Sequence, residues 1–477
     1  MASRPLRSDP AAVVALLSGP GRNDLAQYLI RQRWFAAKTR GVGALAVLDW
    51  ATLDREGPLV LLLLDVDGDA YYVPVTVSEA PGDALARRGD ESVVDAHDDP
   101  RFAHRLLAAI AAGRELAGQA GRFRLRPTPG WNFPRNPDRE AAHRHAGEQS
   151  NTSVILGAAL VLKSLRRPQP GVSPDLEIPR FLTTRTVFRH VPRLAGWVEY
   201  EAGDGPVTLA VLQEFVDNSG DGWHHLLTAL RQRGSAVERS PDPLVGDVHR
   251  LGAITGGLHV ALASEPSAPD FAPEPVTRAD VERWASDIAR DLGAADVQRL
   301  LAESGGGPGR IRSRAVTALE ALAGTVKIRV HGDYHLGQVL KTRAGFAIID
   351  FEGEPARPLA ERRLKQAALR DVAGMLRSLD YAAHAVARES PEGERAGLLD
   401  ALTGWEDRAR HAFLSGYRTA VAASAVPLVP GSEPALLSAC AAFELQKACY
   451  ELRYELDNRP DWVAIPLAGI NRILAAA

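Results

Sequence analysis

The stretch His331-Gly332-Asp333-Tyr334-His335-Leu336-Gly337-Gln338, followed by Phe346-Ala347-Ile348-Ile349-Asp350-Phe351-Glu352, decides the reading of this chain. Thr325 to Val330 reads as a short strand leading into it, and the apolar run Phe346 to Ile349 reads as a second strand that ends on Asp350. Taken singly, Asp333 is a turn former, Gln338 a helix-surface residue and Asp350 a strand terminator. Taken together they supply a carboxylate for an attacking hydroxyl and oxygen ligands for Mg²⁺, which is what phosphoryl transfer requires.

The spacing strengthens this. In protein kinases a catalytic aspartate is followed five positions later by an amide ligand, and further on by a metal-binding aspartate at a strand end. Here Asp333 and Gln338 are five apart, and Asp350 lies seventeen beyond Asp333. Upstream, Leu160-Val161-Leu162-Lys163 places a lysine at the end of a buried strand, and Glu177 follows fourteen residues later at the start of a helix. Such a Lys–Glu pair holds the phosphates of ATP. Leu212-Gln213-Glu214-Phe215-Val216 ends the β-rich region, where a hinge would bind adenine through its backbone, with Gln213 and Phe215 as the contact positions. In place of a glycine-rich loop stands Glu148-Gln149-Ser150-Asn151-Thr152-Ser153. The hydroxyl and amide groups of Ser150, Asn151 and Thr152 are candidates for phosphate oxygens in place of bare backbone, and a plain polar turn is the alternative. The missing G-x-G-x-x-G argues against a protein kinase proper.

Working outward, 477 residues exceed what one core normally organises, so two or three packed regions are expected. A formal net charge of −3 gives no general attraction to nucleic acid or to anionic membrane. The strongest apolar run, Val60 to Leu64, is strand-length, no signal peptide is evident in Met1 to Arg7, and a soluble cytoplasmic protein is the default. Cys440 and Cys449 read as core residues. Leu59 to Val66 and Ala70 to Val77 read as two strands joined by the acidic turn Asp65 to Asp69, and Arg101 to Leu116 as an amphipathic helix. Gly121 to Glu148 reads as a long connection, Ser153 to Val216 as a small sheet with one helix around Asp175 to Leu182, and the chain beyond Asp221 as long helices. The expected fold class is α+β: a bilobal protein-kinase-like fold with an N-terminal module over 1–120, a β-rich ATP-binding lobe over 121–216 and a helical catalytic lobe over 217–477.

With these residues assembled, the chain resembles the actinobacterial maltokinase-like sugar kinases, themselves similar to aminoglycoside phosphotransferases. The resemblance is carried by Arg31 to Phe35, Glu148 to Ser153, Pro170 to Glu177, His331 to Gln338, Arg370 to Tyr381, Tyr450 to Trp462 and, most specifically, Asp350-Phe351-Glu352-Gly353-Glu354-Pro355-Ala356-Arg357-Pro358. It implies that 1–120 is an N-terminal cap subdomain and that the helical lobe over 217–477 also binds sugar, with ATP as donor, Mg²⁺ held by Gln338 and Asp350, and Asp333 as the residue that orients a sugar hydroxyl and accepts its proton. Partners are then ATP and a small sugar, with no nucleic acid and no membrane.

That group includes maltokinases, which make maltose 1-phosphate, and glucosamine kinases, which make glucosamine 6-phosphate. A pyranose wants an aromatic face, and an amino sugar adds a demand for carboxylates. Trp405 and Glu406, read as opening a C-terminal helix, and Glu444, which interrupts an apolar series, are the candidates, the alternative being a core tryptophan with solvent-facing glutamates. These carboxylates and the brief segment Ser78 to Pro100, where the resemblance leads one to expect a larger maltokinase cap, favour glucosamine over maltose. Two other classes stand beside this: phosphorylation of an aminoglycoside, and a non-catalytic binding protein on a decayed kinase fold, which would have lost a base or metal position.

Overall fold

A computed structural model describes residues 9–476 apart from 37, 39, 56, 80–82, 135–139, 146–149, 204, 235–241 and 302–307. Glu148 and Gln149 of the proposed phosphate loop therefore lie outside the described residues. The chain divides into two compact units, Met1–Thr184 with Pro192–Asp217, and Arg185–Val191 with Asn218–Ala477.

The first unit is organised by the strand Leu59–Val66, whose side chains alternate between two cores. Val60, Leu62 and Leu64 pack with Val13, Leu17, Leu25 and Leu29 of the helices Pro10–Ser18 and Arg22–Arg31. Leu59, Leu61 and Leu63 pack on the opposite side with Phe102, Leu106 and Ile110 of the helix Pro100–Ala111 and with Phe123, Val198 and Leu212. Burial on both faces is why this strand is a continuous apolar run instead of an alternating one. It belongs to a six-stranded antiparallel sheet in the order Leu45–Asp54, Leu59–Val66, Val75–Ser78, Glu91–Asp95, Ala84–Arg88, with Asp69–Tyr72 paired to Leu59–Val66.

The acidic turn closes tightly. Asp67 and Gly68 take positive φ of 55° and 88°, and the Asp65 carboxylate accepts the Gly68 N–H at 2.9 Å. The second predicted strand is in fact two, because Pro74 has no N–H to give a ladder. The predicted helix over Arg101 to Leu116 stops at Ala111, after which Glu115–Ala117 is a strand.

A seven-stranded antiparallel sheet completes this unit: Glu115–Ala117, Arg122–Pro127, Leu194–Glu201, Pro206–Glu214, Leu160–Leu165, Asn151–Leu156, Ala142–Arg144. The helix Pro174–Arg185 follows the strand that carries Lys163.

The second unit is mainly helical. Pro243–Leu262 and Glu392–Val421 touch backbone to backbone: a Cβ on Gly252 would sit 2.0 Å from the Phe413 carbonyl oxygen, and one on Gly416 2.1 Å from that of His249. Only glycine permits this approach. Leu369–Glu389, Glu433–Asn458, Arg278–Gly293 and Pro308–Glu320 supply most of the remaining core. The helix Arg278–Gly293 is closed at its start by reciprocal Thr277–Asp280 capping bonds and breaks at Ala294, after which Ala295–Leu300 is a separate short helix. The β interruption contains one strand more than the sequence reading, Val339–Thr342, which forms a hairpin with Gly345–Ile348.

Candidate active site

The hairpin explains why Gln338 and Asp350 meet. Pairing Val339 with Ile348 sets the residues just outside the ladder side by side, the Ile349 N–H donates to the Gln338 carbonyl at 3.0 Å, and the Gln338 Nε2 donates to Asp350 Oδ2 at 2.8 Å. Asp350 takes φ of 66°, a left-handed conformation uncommon for a residue with a Cβ and found where surroundings over-determine the backbone, often at functional sites.

The loop before the hairpin is held by the helix Leu369–Glu389. Asp371, buried, accepts the backbone N–H of His331 at 2.8 Å and of Gly332 at 3.0 Å, and also bonds His259 Nε2 at 3.1 Å. Burial opposes the charge on Asp371, and its hydrogen bond and attraction to His259 overcome that, keeping it below the usual carboxylate range. Gly332 has φ of 87°, a left-handed turn conformation that glycine takes without strain. Ser378 Oγ accepts the Leu336 N–H at 3.0 Å, and the His331 Nε2–H donates to the Ile349 carbonyl at 2.9 Å.

Asp333 lines a cavity of about 210 Å³ together with Asp291, Glu354, Gln446, Lys447 and Tyr450. Its Oδ1 lies 2.9 Å from Lys447 Nζ, which also reaches Glu354 Oε1 at 3.3 Å and sits 4.7 Å over the Tyr450 ring. Burial works against ionised Asp333, yet the ammonium of Lys447 outweighs it and holds the carboxyl below its ordinary value. Glu354 is likewise kept ionised against burial by Lys447 and Arg357. Asp291 differs. Its Oδ2 accepts a weak 3.4 Å bond from the Gln446 amide, the Arg290 Nε is 3.9 Å from Oδ1, and burial pushes its pKa up. It is a cavity carboxylate whose charge is poorly compensated.

The sequence reading missed Asp291, Glu354 and Lys447 as site residues. The signal for Lys447 was available: Glu444, Lys447, Glu451 and Tyr454 recur at helical spacing, which sets them along one side of a helix. The residues chosen instead lie elsewhere. Trp405 and Glu406 do not open a helix but sit in the middle of Glu392–Val421, both fully buried, and Glu444 is buried with its two oxygens 2.9 and 2.8 Å from Arg410. None of the three lines the Asp333 cavity.

In the first unit, Lys163 Nζ lies 2.9 Å from Asp175 Oδ2, two residues before the predicted partner Glu177, which is buried in the first turn of the same helix. The strand pairing sets Lys163 opposite Ser153. Asn151 is half-buried, and Thr152 is buried with its hydroxyl accepting from Arg166 Nε at 2.7 Å. Ser150 is exposed at the start of this strand. Gln213 pairs with Val161 and Leu194, and the Phe215 N–H donates to the Ala159 carbonyl at 2.8 Å, tying the predicted hinge to the turn beside Lys163's strand.

An α+β, protein-kinase-like phosphotransferase fold with an N-terminal cap is the class that these elements define. Residues 28–107 match the maltokinase N-terminal cap domain. A glucosamine kinase from Streptacidiphilus jiangxiensis is 29% identical over 429 residues, 88% of this chain and 89% of that protein, and one from Mycolicibacterium smegmatis (strain ATCC 700084 / mc(2)155) is 32% identical over 341 residues, 69% and 78% respectively. A solved glucosamine kinase in complex with glucosamine, ADP and inorganic phosphate is 25% identical, with a TM-score of 0.66 over 94% of this chain and 99% of that one. The chain belongs to the glucosamine kinase family. No described helix is long and apolar enough to cross a membrane.

Proposed function

We propose that this protein transfers the γ-phosphoryl group of ATP to glucosamine, giving glucosamine 6-phosphate and ADP. The observation that carries the reading is the cavity in which Asp333, kept ionised by Lys447, faces the same space as the under-compensated carboxylate of Asp291. A base for the hydroxyl and an anion for the ammonium are the two groups that an amino-sugar kinase needs. Maltose has no use for the second.

In this reading the sugar ammonium pairs with Asp291 and donates to the Gln446 amide oxygen, while Tyr450 packs against the ring. Asp333 uses Oδ2 to orient the hydroxyl and take its proton. A bond forms between the sugar oxygen and the γ-phosphorus, the bond from that phosphorus to the β–γ bridging oxygen breaks, and ADP leaves. Positioning and charge, not covalent chemistry by the protein, carry such a transfer. On the donor side, Lys163 and the residues Ser150 and Asn151 receive phosphate oxygens, Asp175 holds the lysine in the place read for Glu177, and the backbone at Gln213 and Phe215 takes adenine. The carboxylate of Asp350 and the amide of Gln338, already joined at 2.8 Å, form an oxygen-bearing pair suited to a hard cation such as Mg²⁺. Bound there, Mg²⁺ would neutralise phosphate charge. The retained Asp333, Gln338 and Asp350 argue against a decayed, non-catalytic relative.

Measuring ADP release with glucosamine, maltose, glucose and an aminoglycoside tests the proposal. Glucosamine should give the highest kcat/KM. A higher value with maltose, or turnover that ignores the amino group, overturns it.

A further inference from the structure

The hairpin that carries the proposed phosphate ligands is gripped on its opposite face by a buried ionic clamp rooted in the six-stranded sheet. Antiparallel pairing sets Thr152 opposite Ser164 and Ser153 opposite Lys163, so Thr152 and Ser164 share one face while Ser153, Lys163 and Asn151 share the other. On the Thr152 face, Arg166 Nε donates to Thr152 Oγ1 at 2.7 Å and Nη2 to Asp95 Oδ2 at 2.5 Å. Its guanidinium lies 4.8 Å over the Trp34 ring, and its carbonyl accepts the Tyr72 N–H at 3.0 Å. Asp95 is held in turn by His97 Nδ1 at 2.7 Å and the Tyr28 hydroxyl at 3.2 Å, and His97 Nε2 meets Ser164 Oγ at 2.8 Å. Arg166 and Ser164 are 0% exposed, Asp95 and Thr152 2%. A buried charge pair this fully bonded has fixed geometry, because losing any member leaves a desolvated group without compensation.

We propose that Arg166 is a positioning residue for the donor side of the reaction: braced by Asp95, it fixes Thr152 and thereby sets where Asn151, Ser150 and Lys163 present their groups to ATP. This rests on the assignment of that hairpin to nucleotide binding. It also gives Thr152 a different role from that read in the sequence, since its hydroxyl is committed inward to Arg166 and is an anchor, not a phosphate ligand. The six-stranded sheet, matched to the cap family over 28–107, would then act on phosphate geometry through Asp95.

Thr152→Val keeps the shape and removes the acceptor, and Arg166→Lys keeps the positive charge against Asp95 but loses the planar fork that reaches Thr152. Each should raise KM for ATP about 5-fold, the scale of one lost buried hydrogen bond, with KM for glucosamine within about twofold of wild type. The double variant should be no worse than the poorer single one, and Thr152→Ser should restore ATP binding. If Thr152→Val does not fold, Arg166→Lys gives the same reading.

An unmoved KM for ATP in the folded variants overturns the proposal, and so does a fall in kcat with both KM values unchanged, the sign of a merely structural role. Lys163→Ala is measured in parallel. No change in KM for ATP there removes the nucleotide assignment and the brace with it, whereas a change in Lys163→Ala without one in Thr152→Val or Arg166→Lys removes the brace alone.

Discussion

Two clusters of charge lie along the helix Glu433–Asn458, and they are built on opposite plans. At Glu444 the buried carboxylate meets Arg410 through both oxygens, next to Glu406, Asp380 and a fully buried Arg377. At Lys447, one turn on, a single ammonium serves both Asp333 and Glu354 at the wall of a cavity, with Asp291 nearby and poorly matched. The first cluster ties neighbouring helices together through the paired oxygens of Glu444 and Arg410. The second leaves charge facing a space, and that is what makes it suited to a ligand.

Asp333→Asn should break the contrast most strongly, lowering kcat about 10³-fold while KM for ATP stays within about twofold. ADP-release kinetics measure this, and turnover within tenfold of wild type would take Asp333 out of the chemistry. In the first cluster, Glu444→Ala strands the Arg410 guanidinium and should cost about 3 kcal/mol in denaturant unfolding, with KM for glucosamine unchanged. A raised KM without lost stability would return that cluster to the acceptor site. Asp291→Asn should raise KM for glucosamine about 10-fold and leave KM for ATP and for neutral sugars alone. Equal effects on glucose and glucosamine would deny that it reads the amine.

The smallest effect concerns pH. Burial, reinforced by Asp380, pushes Glu406 up to about 7. A carboxyl raised on folding binds its proton more tightly in the native state, so its contribution to stability is complete below the unfolded pKa and is lost as pH rises through about 7. Glu406→Gln should therefore flatten the decline in Tm between about pH 5 and 8. An unchanged slope would show that Glu406 does not titrate there.

What the sequence revealed, and what it hid, follows the range of the contacts. Asp333, Gln338 and Asp350 lie within one loop and hairpin, so spacing alone was informative, even though the strand Val339–Thr342 that brings Gln338 to Asp350 went unread. Lys163 was legible as a strand residue, while its ion pair to Asp175 depends on how the helix Pro174–Arg185 docks. The cavity around Asp333 draws Asp291, Glu354 and Lys447 from three distant elements, and no local pattern joins them. Trp405 and Glu406 misled because their helix begins thirteen residues earlier, at Glu392, which turns a supposed helix start into the middle of a buried bundle. A buried glutamate opposite an arginine and an open one opposite a sugar are written in the same letters.

The strand Leu59–Val66 carries a lesson for anyone dissecting this protein. Because Leu59, Leu61 and Leu63 complete a core that continues into Phe123, Val198 and Leu212, the boundaries of the recognisable cap at 28 and 107 are evolutionary and not mechanical. Excised at those points, the fragment would turn a greasy flank toward water and self-associate.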